Sequence, residues 1–471
     1  MATIGDRNGP ISSKVVVVMV PLPAQGHLNQ LLQLSRIIAA YNINVHYATT
    51  AAHNRQARQR IHWWNPLAST NLHFDDLPIP EFQSPSPKPN AGKNFPSHLQ
   101  PLFDAVPHLR QPIAALLHSL SATADRVIVI HDSLMSSVVQ DVASIPNAES
   151  FIFHSVSAFA IFWYFWEGMG NPFAIDERLQ ELVPSLEDCF TQEFMEFIIS
   201  EQKYLHLDSG RLFNTCREIE GDFLDLIEKM SQHEKKKNWA IGPFNPLLIK
   251  EKNFNESKHK CLQWLNKQEP SSVIFVSFGT TTSLPDDQIR ELATGLEESG
   301  VKFIWVVRES DRGDCTTVDG GIISKNALPE GFEERVRERG VVVRDWAPQL
   351  EILGHSATGG FLTHCGWNSC MESISMGVPV GAWPMHSEQP RNTVLMAEVL
   401  KIGVVVRDWS HRNETLRSSS ISSLLKRLMA SEEGEEMRRR AAELGGTVRR
   451  SVAEGGVTRA EMDSFVAHIN R

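Results

Sequence analysis

Residues 346–389 read WAPQLEILGHSATGGFLTHCGWNSCMESISMGVPVGAWPMHSEQ, and this stretch decides the fold. Gly359 to Thr363 has the length and character of a short buried strand, and His364 to Ser369 forms a tight turn. The residues beyond the turn read as a helix that stops at Gly377, ahead of Pro379. Asn368 or Ser369 supplies the side chain of an N-cap. A helix start with exposed backbone N–H groups, beside Gly366 and His364, suits a diphosphate. Around it stand a flat aromatic face (Trp346), an amide for a ribose or base (Gln349) and a carboxylate one turn into the helix (Glu372). Glu388 and Gln389 close the stretch with an acceptor and an amide, the usual equipment for sugar hydroxyls.

Working outward, short apolar runs alternate with helical periods on both sides. Lys14 to Pro21, Asn44 to Ala48 and Arg126 to Ile130 read as strands, with a helix around Leu28 to Tyr41. Val273 to Ser277, Phe303 to Val307 and Val341 to Val343 repeat the pattern, with a helix over Asp286 to Ser299. Such alternation predicts parallel, doubly wound sheets, and 471 residues predict two domains. We divide the chain into a first domain over 1–245, a linker over 246–258, a second domain over 259–457 and a terminal helix over 458–471. That helix is expected to pack back on the first domain. The Pro- and Ser-rich segment Pro78 to Pro96 is a long loop, read as a flexible wall of a binding pocket in preference to plain disorder.

The balance of 46 basic and 56 acidic residues gives a net charge of −10, which argues against a nucleic-acid partner. Lys235, Lys236 and Lys237 are read as a solvated run. The six cysteines lack a disulfide rhythm, and His364, Cys365 and Cys370 have no second ligand pair, so no metal is expected. No apolar run approaches the roughly 20 residues of a membrane span. The run from Val15 to Val20 is too short for a signal peptide, and the chain ends without a retention or prenylation signal. A cytoplasmic protein is expected, with the sequons at Asn255 and Asn413 occurring by chance. No feature sets an oligomeric state.

His27 follows the first strand in PLPAQGHLNQ (residues 21–30), at the opening of a helix. An imidazole there suits a general base for a hydroxyl, and is equally compatible with a structural role. Asp132 follows the Arg126–Ile130 strand. Its carboxylate can accept the imidazole N–H and stabilise an imidazolium, or cap a helix over Ser133 to Val142; the two roles are compatible. The first βα turn carries no GxGxxG, which removes a dinucleotide-dependent oxidoreductase from consideration.

The 346–389 stretch resembles the signature box of the plant secondary-product glycosyltransferases, the plant family 1 UDP-glycosyltransferases. WAPQ, HxxxGGFLTHCGWNS, the Glu372-Ser373 pair, GVP and the closing acidic-Gln pair all stand at that family's spacing. PxPxQGH matches the family segment whose histidine is the base, Asp132 matches its partner aspartate, and Ser277-Phe278-Gly279-Thr280 resembles its SFGS segment. The resemblance implies a GT-B fold, two Rossmann-like domains facing a cleft, and a metal-independent, inverting transfer from UDP-glucose or UDP-xylose without a further cofactor. It implies that Trp346, with Ala347, holds uracil, and that Gln349 and Glu372 hold the ribose. Thr280, His364, Gly366, Asn368 and Ser369 meet the diphosphate, and Trp367, Glu388 and Gln389 the sugar.

Along its whole length the chain resembles the zeatin O-glucosyltransferase and O-xylosyltransferase subgroup. The carrying segments are PLPAQGHLNQLLQLSRIIAAYNINVHY (21–47), HDSLMSSVVQDVA (131–143), WAIGPFNPL (239–247) and VSFGTTTSL (276–284). Gln30 departs from the proline common in the wider family and agrees with this subgroup. The implied acceptor is the side-chain hydroxyl of zeatin, with flavonoids or other phenols, including C-glycosylation, as the alternative. Zeatin needs an apolar slot with a few polar groups. The aromatic segment with Phe153, His154, Phe159 and Trp163 is read either as that slot or as a buried core helix.

Overall fold

The computed structural model describes residues 15–61, 64–87, 95–231, 236–247, 249, 259–282, 284–308, 310–311, 314 and 328–471. The Asn255 sequon, Cys315, most of the 246–258 linker and residues 88–94 of the long loop lie outside the described residues.

Two parallel sheets build the molecule. The first holds β1 (Val15–Val20), β2 (Asn44–Thr50), β3 (Leu72–Leu77), β4 (Arg126–Asp132), β5 (Ala148–His154), β6 (Gly210–Phe213) and β7 (Lys237–Ala240), in the order β3-β2-β1-β4-β5-β6-β7. The second holds β8 (Val273–Ser277), β9 (Lys302–Val306), β10 (Gly340–Val343), β11 (Thr358–Thr363), β12 (Val380–Ala382) and β13 (Gly403–Val405), in the order β10-β9-β8-β11-β12-β13. β1 is VVVVMV and buried along its whole length. Unbroken apolar runs of this kind suit a parallel strand covered by helices on both faces.

Each sheet reverses its strand order once, between β1 and β4 and between β8 and β11. Those switch points are where open α/β sheets leave a crevice at the strand C-termini. His27 lies just past β1, near the start of α1 (Gln25–Ala39), and Asp132 is the last residue of β4. Gly279 and Thr280 lie just past β8, and His364 just past β11. Both switch points therefore carry the residues singled out in the sequence.

Several elements differ from the sequence reading. Asp132 caps no helix. The segment after it is a 3-10 helix, Ser136–Ser144, without a side-chain cap, and the carboxylate instead accepts the Leu134 N–H at 3.0 Å. The helix after β11 runs over Trp367–Met376 with Gly366 as its N-cap residue and no side-chain cap bond. Asn368 and Ser369 sit inside it because their side chains have other partners. The Asn368 amide donates to the Gly26 carbonyl at 2.8 Å, and the Ser369 hydroxyl accepts from Gln349 at 3.1 Å. The helix ends as expected at Gly377, in the left-handed region with φ 73°.

The terminal helix Val457–Ile469 lies against the first sheet. Phe465 makes edge contacts with Phe151 and Trp239, at centroid distances of 5.4 and 5.3 Å. The long helix before it, Glu432–Val452, packs on Trp367–Met376, and Gly445 permits the approach. A Cβ at Gly445 would stand 2.7 Å from the Ile374 carbonyl oxygen.

Candidate active site

A cavity of about 300 Å³ opens between the two switch points and takes its lining from both halves of the chain. From the first half come Leu22, His27, Gln30, Phe95, Ser155 and Phe194, among others. From the second come Thr280, Trp346, Ala347, Gln349, His364, Gly366, Trp367, Asn368, Ser369, Glu372, Glu388 and Gln389, so every residue expected to hold the donor lines one cavity.

On the first-domain side, His27 Nδ1 stands 2.6 Å from Asp132 Oδ2. Asp132 is fully buried, while the His27 side chain keeps 23% of its surface exposed. Burial pulls the His27 pKa down, but the Asp132 charge and hydrogen bond push it up, with Glu388 adding, and the net shift is upward. Burial likewise opposes ionisation of Asp132, yet the His27 charge and bond, the Leu134 N–H and the Ser155 hydroxyl hold its pKa below the usual value. With the Nδ1 proton given to Asp132, the Nε2 lone pair is left to accept a proton.

On the opposite side, His364 is confined between two glycines. A Cβ at Gly279 would come within 2.7 Å of its imidazole, and one at Gly366 within 2.5 Å. Burial lowers its pKa to about 4, so the ring is neutral at physiological pH and offers one N–H rather than a charge. Next to it, the Trp367–Met376 helix starts without a cap from the Gly366 position, and its first residues, Trp367, Asn368 and Ser369, line the cavity. The Trp367 N–H is already engaged by the buried Glu388 carboxylate, whose pKa burial raises.

Gln349 donates to Glu372 Oε2 at 2.8 Å, and burial lifts the Glu372 pKa to about 7. The Gln389 oxygen accepts the Met385 and His386 N–H groups at 2.9 and 3.1 Å, which locks the turn that presents Glu388. Trp346 lies under two guanidinium groups, Arg60 at 4.9 Å and Arg308 at 5.6 Å from the ring centroid. Both arginines pair with Asp311. Arg60 follows α2 (Ala51–Gln59), so the first domain reaches across to the aromatic face.

The aromatic segment is not part of the cavity. Phe153, His154, Phe159 and Trp163 are all buried in the core. Phe153 packs on Phe244, His154 stacks on Phe213, Phe159 meets Phe223 edge-on, and Trp163 contacts Phe162 and Trp166. The helix Ala158–Gly168 is apolar nearly all round, which marks a helix covered on most sides rather than one facing a ligand. The apolar wall beside His27 is made instead by Leu22, Phe95, Leu99, Phe103 and Phe194. These come from separated parts of the chain; Phe95 belongs to the Pro78–Pro96 loop read as a candidate pocket wall, and the other four were not singled out as wall residues. Phe194 touches Phe95 and Phe103, each at 4.7 Å between centroids.

Two Rossmann-like domains with a cavity between their switch points define a GT-B fold. Residues 13–246 match the model described as "Glycosyltransferase, N-terminal domain", and residues 249–434 match "UDP-glucoronosyl and UDP-glucosyl transferase". The chain belongs to this family, and it is a UDP-sugar-dependent glycosyltransferase. It is 52% identical to a zeatin O-glucosyltransferase of Phaseolus lunatus, over 99% of this chain and 100% of the relative. It is 50% identical to a zeatin O-xylosyltransferase of Phaseolus vulgaris, over 98% and 99%. Among solved structures, a transferase from Siraitia grosvenorii in complex with UDP superposes with a TM-score of 0.74 at 27% identity, covering 97% of this chain and 100% of that one.

Among the described residues, no group of three or more His, Cys, Asp and Glu side chains converges as a metal cage, and no helix is long and apolar enough to cross a membrane. Cys189, Cys216, Cys261, Cys365 and Cys370 are free and buried.

Proposed function

We propose that this enzyme transfers glucose or xylose from its UDP-sugar to the side-chain hydroxyl of zeatin, by direct displacement with inversion at the anomeric carbon. The observation that carries the reaction is the His27–Asp132 pair at 2.6 Å, facing the uncapped helix start across one cavity. The support for the acceptor is the full-length likeness to two zeatin glycosyltransferases.

In this reading the acceptor oxygen attacks the anomeric carbon as its proton passes to His27 Nε2. The bond from that carbon to the β-phosphate oxygen breaks, and its electron pair leaves on UDP. Asp132 stabilises the imidazolium that forms, and a preorganised carboxylate of this kind needs no reorganisation during the step. The leaving charge meets His364, Thr280, Asn368, Ser369 and the helix N-terminus. Trp346 and Ala347 hold uracil, Gln349 and Glu372 the ribose, and Trp367, Glu388 and Gln389 the sugar. Because Arg60 and Arg308 lie over Trp346, uracil stacks on whatever part of the ring they leave, or displaces Arg60.

The apolar wall of Leu22, Phe95, Leu99, Phe103 and Phe194 is assigned to the acceptor. It offers a flat purine aromatic and aliphatic contact beside the base, in the place first given to the Phe153–Trp163 segment. Hydrogen-bond donors and the helix N-terminus are assigned to the leaving diphosphate, so the reading calls on no metal or cofactor, and the free thiols fit a cytoplasmic setting.

The test crosses UDP-glucose and UDP-xylose with trans-zeatin, cis-zeatin and a panel of flavonoids and other phenols. Products are followed by mass spectrometry before and after acid treatment. An acid-labile glycoside of zeatin supports the reading and settles the donor. Efficient transfer to phenols with zeatin untouched removes zeatin, and acid-stable products point to C-glycosylation.

A further inference from the structure

We propose that Ser155 and Gln30 are positioning residues: Ser155 orients the His27–Asp132 pair, and Gln30 holds Ser155 in place while bracing it against the donor side of the cleft. The proposal rests on the reading of His27 as the base.

The Ser155 hydroxyl oxygen lies 2.8 Å from His27 Nδ1 and also bonds the Asp132 carboxylate. Nδ1 carries a single proton, and the 2.6 Å approach assigns it to Asp132. The hydroxyl proton of Ser155 therefore goes to the same carboxylate, while its oxygen sits alongside the imidazole N–H. Asp132 thus receives three donors, from His27, Leu134 and Ser155, and two groups, Asp132 and Ser155, meet the ring at Nδ1.

Gln30 stands one turn beyond His27 in α1 and is only 3% exposed. Its amide group donates to the Ser155 carbonyl at 2.7 Å and lies 3.4 Å from the Gly26 carbonyl. Its oxygen accepts from the Asn214 side chain at 2.9 Å. The Asn214 carbonyl in turn accepts the Trp367 indole N–H at 2.9 Å, and the Gly26 carbonyl accepts from Asn368 at 2.8 Å. A series of hydrogen bonds therefore joins the start of the donor helix to the base through two buried amides, Asn214 and Gln30. An amide can serve both ends because it donates and accepts; a carboxylate or an aliphatic side chain cannot.

Removing the Ser155 hydroxyl has two consequences with separate readouts. The ring loses a contact that fixes it, which lowers kcat. Asp132 loses a donor, so more of its charge acts on His27, and the acid limb of the pH profile moves to higher pH. The experiment compares Ser155→Ala, Ser155→Thr, Gln30→Met and the Gln30→Met/Ser155→Ala pair, with UDP affinity measured by calorimetry on each protein. The expected result is a fall in kcat of about tenfold and an upward limb shift for Ser155→Ala. Ser155→Thr restores both, and UDP affinity stays within about twofold throughout. Gln30→Met moves kcat in the same direction, and the double variant resembles Ser155→Ala alone, because both act through one group.

An unmoved pH profile in Ser155→Ala overturns the role of Ser155. Multiplied effects in the double variant overturn the link through Gln30. If His27→Ala keeps transfer activity, the base assignment itself has failed, which separates that failure from these.

Discussion

His27 needs a partner because burial alone would leave it a poor base with a lowered pKa. The Asp132 contact reverses that, and the consequence is visible in the pH profile. The working form is neutral, so kcat/KM falls as pH drops through the raised pKa, and its acid limb lies above 6.5, the ordinary imidazole value. Asp132→Asn removes the charge that raises the pKa and leaves burial to lower it. Its limb moves below 6.5, and kcat drops by roughly 10²–10⁴-fold. A pH–rate series on the two proteins checks both statements.

At the scale of elements, the Trp367–Met376 helix depends on a glycine at each end, for different reasons. Gly366 leaves room for His364, since a Cβ there would meet the imidazole at 2.5 Å. Gly366→Ala should push His364 off the diphosphate position and weaken UDP binding by about tenfold or more, measured by calorimetry. Gly377 ends the helix at φ 73° with the Ala442 Cα 2.9 Å from a would-be Cβ. Gly377→Ala should lower stability by about 1–3 kcal/mol in urea denaturation, from backbone strain with crowding added.

The same elements show what the sequence could reveal. The donor segment is contiguous, so its strand, turn and helix were legible together, and the Asp286–Ser299 helix matches to the residue. His27, in the first turn of α1, and Asp132, the last residue of β4, were visible as candidates beside strand ends, but position alone left their roles open and the family resemblance selected the pair. The cap was misplaced because Asn368 and Ser369 spend their side chains on tertiary partners, which no local pattern encodes. The aromatic segment was ambiguous because periodicity does not distinguish a helix that is buried all round from one lining a slot. Phe95, Phe103 and Phe194 meet only through folding, as do Gln30, Ser155 and Asn214.

Across the whole molecule, polar ties join the two halves of the chain beside the apolar packing. Trp367 bonds Asn214, Asn368 bonds Gly26, Ser157 bonds Asn392 at 2.6 Å, and Arg391 pairs with Glu167 at 2.7 Å. Asp311 stands between Arg60 of the first domain and Arg308 of the second, with both arginines largely buried. Losing the shared carboxylate leaves two buried guanidinium groups with less compensation. Asp311→Asn should therefore lower stability by about 3–5 kcal/mol, read as a lower urea midpoint, and saturating UDP should recover part of the loss.

The central claim is that His27 takes the proton from the acceptor while the opposite wall holds UDP. The most direct measurement pairs transfer activity with UDP affinity in His27→Ala, using whichever acceptor and donor the wild-type protein turns over best. Transfer is expected to fall to background with UDP affinity within about twofold of the wild type, since the lost group acts only on the acceptor proton. Retained transfer would contradict it, and lost UDP binding would place His27 in the donor site instead.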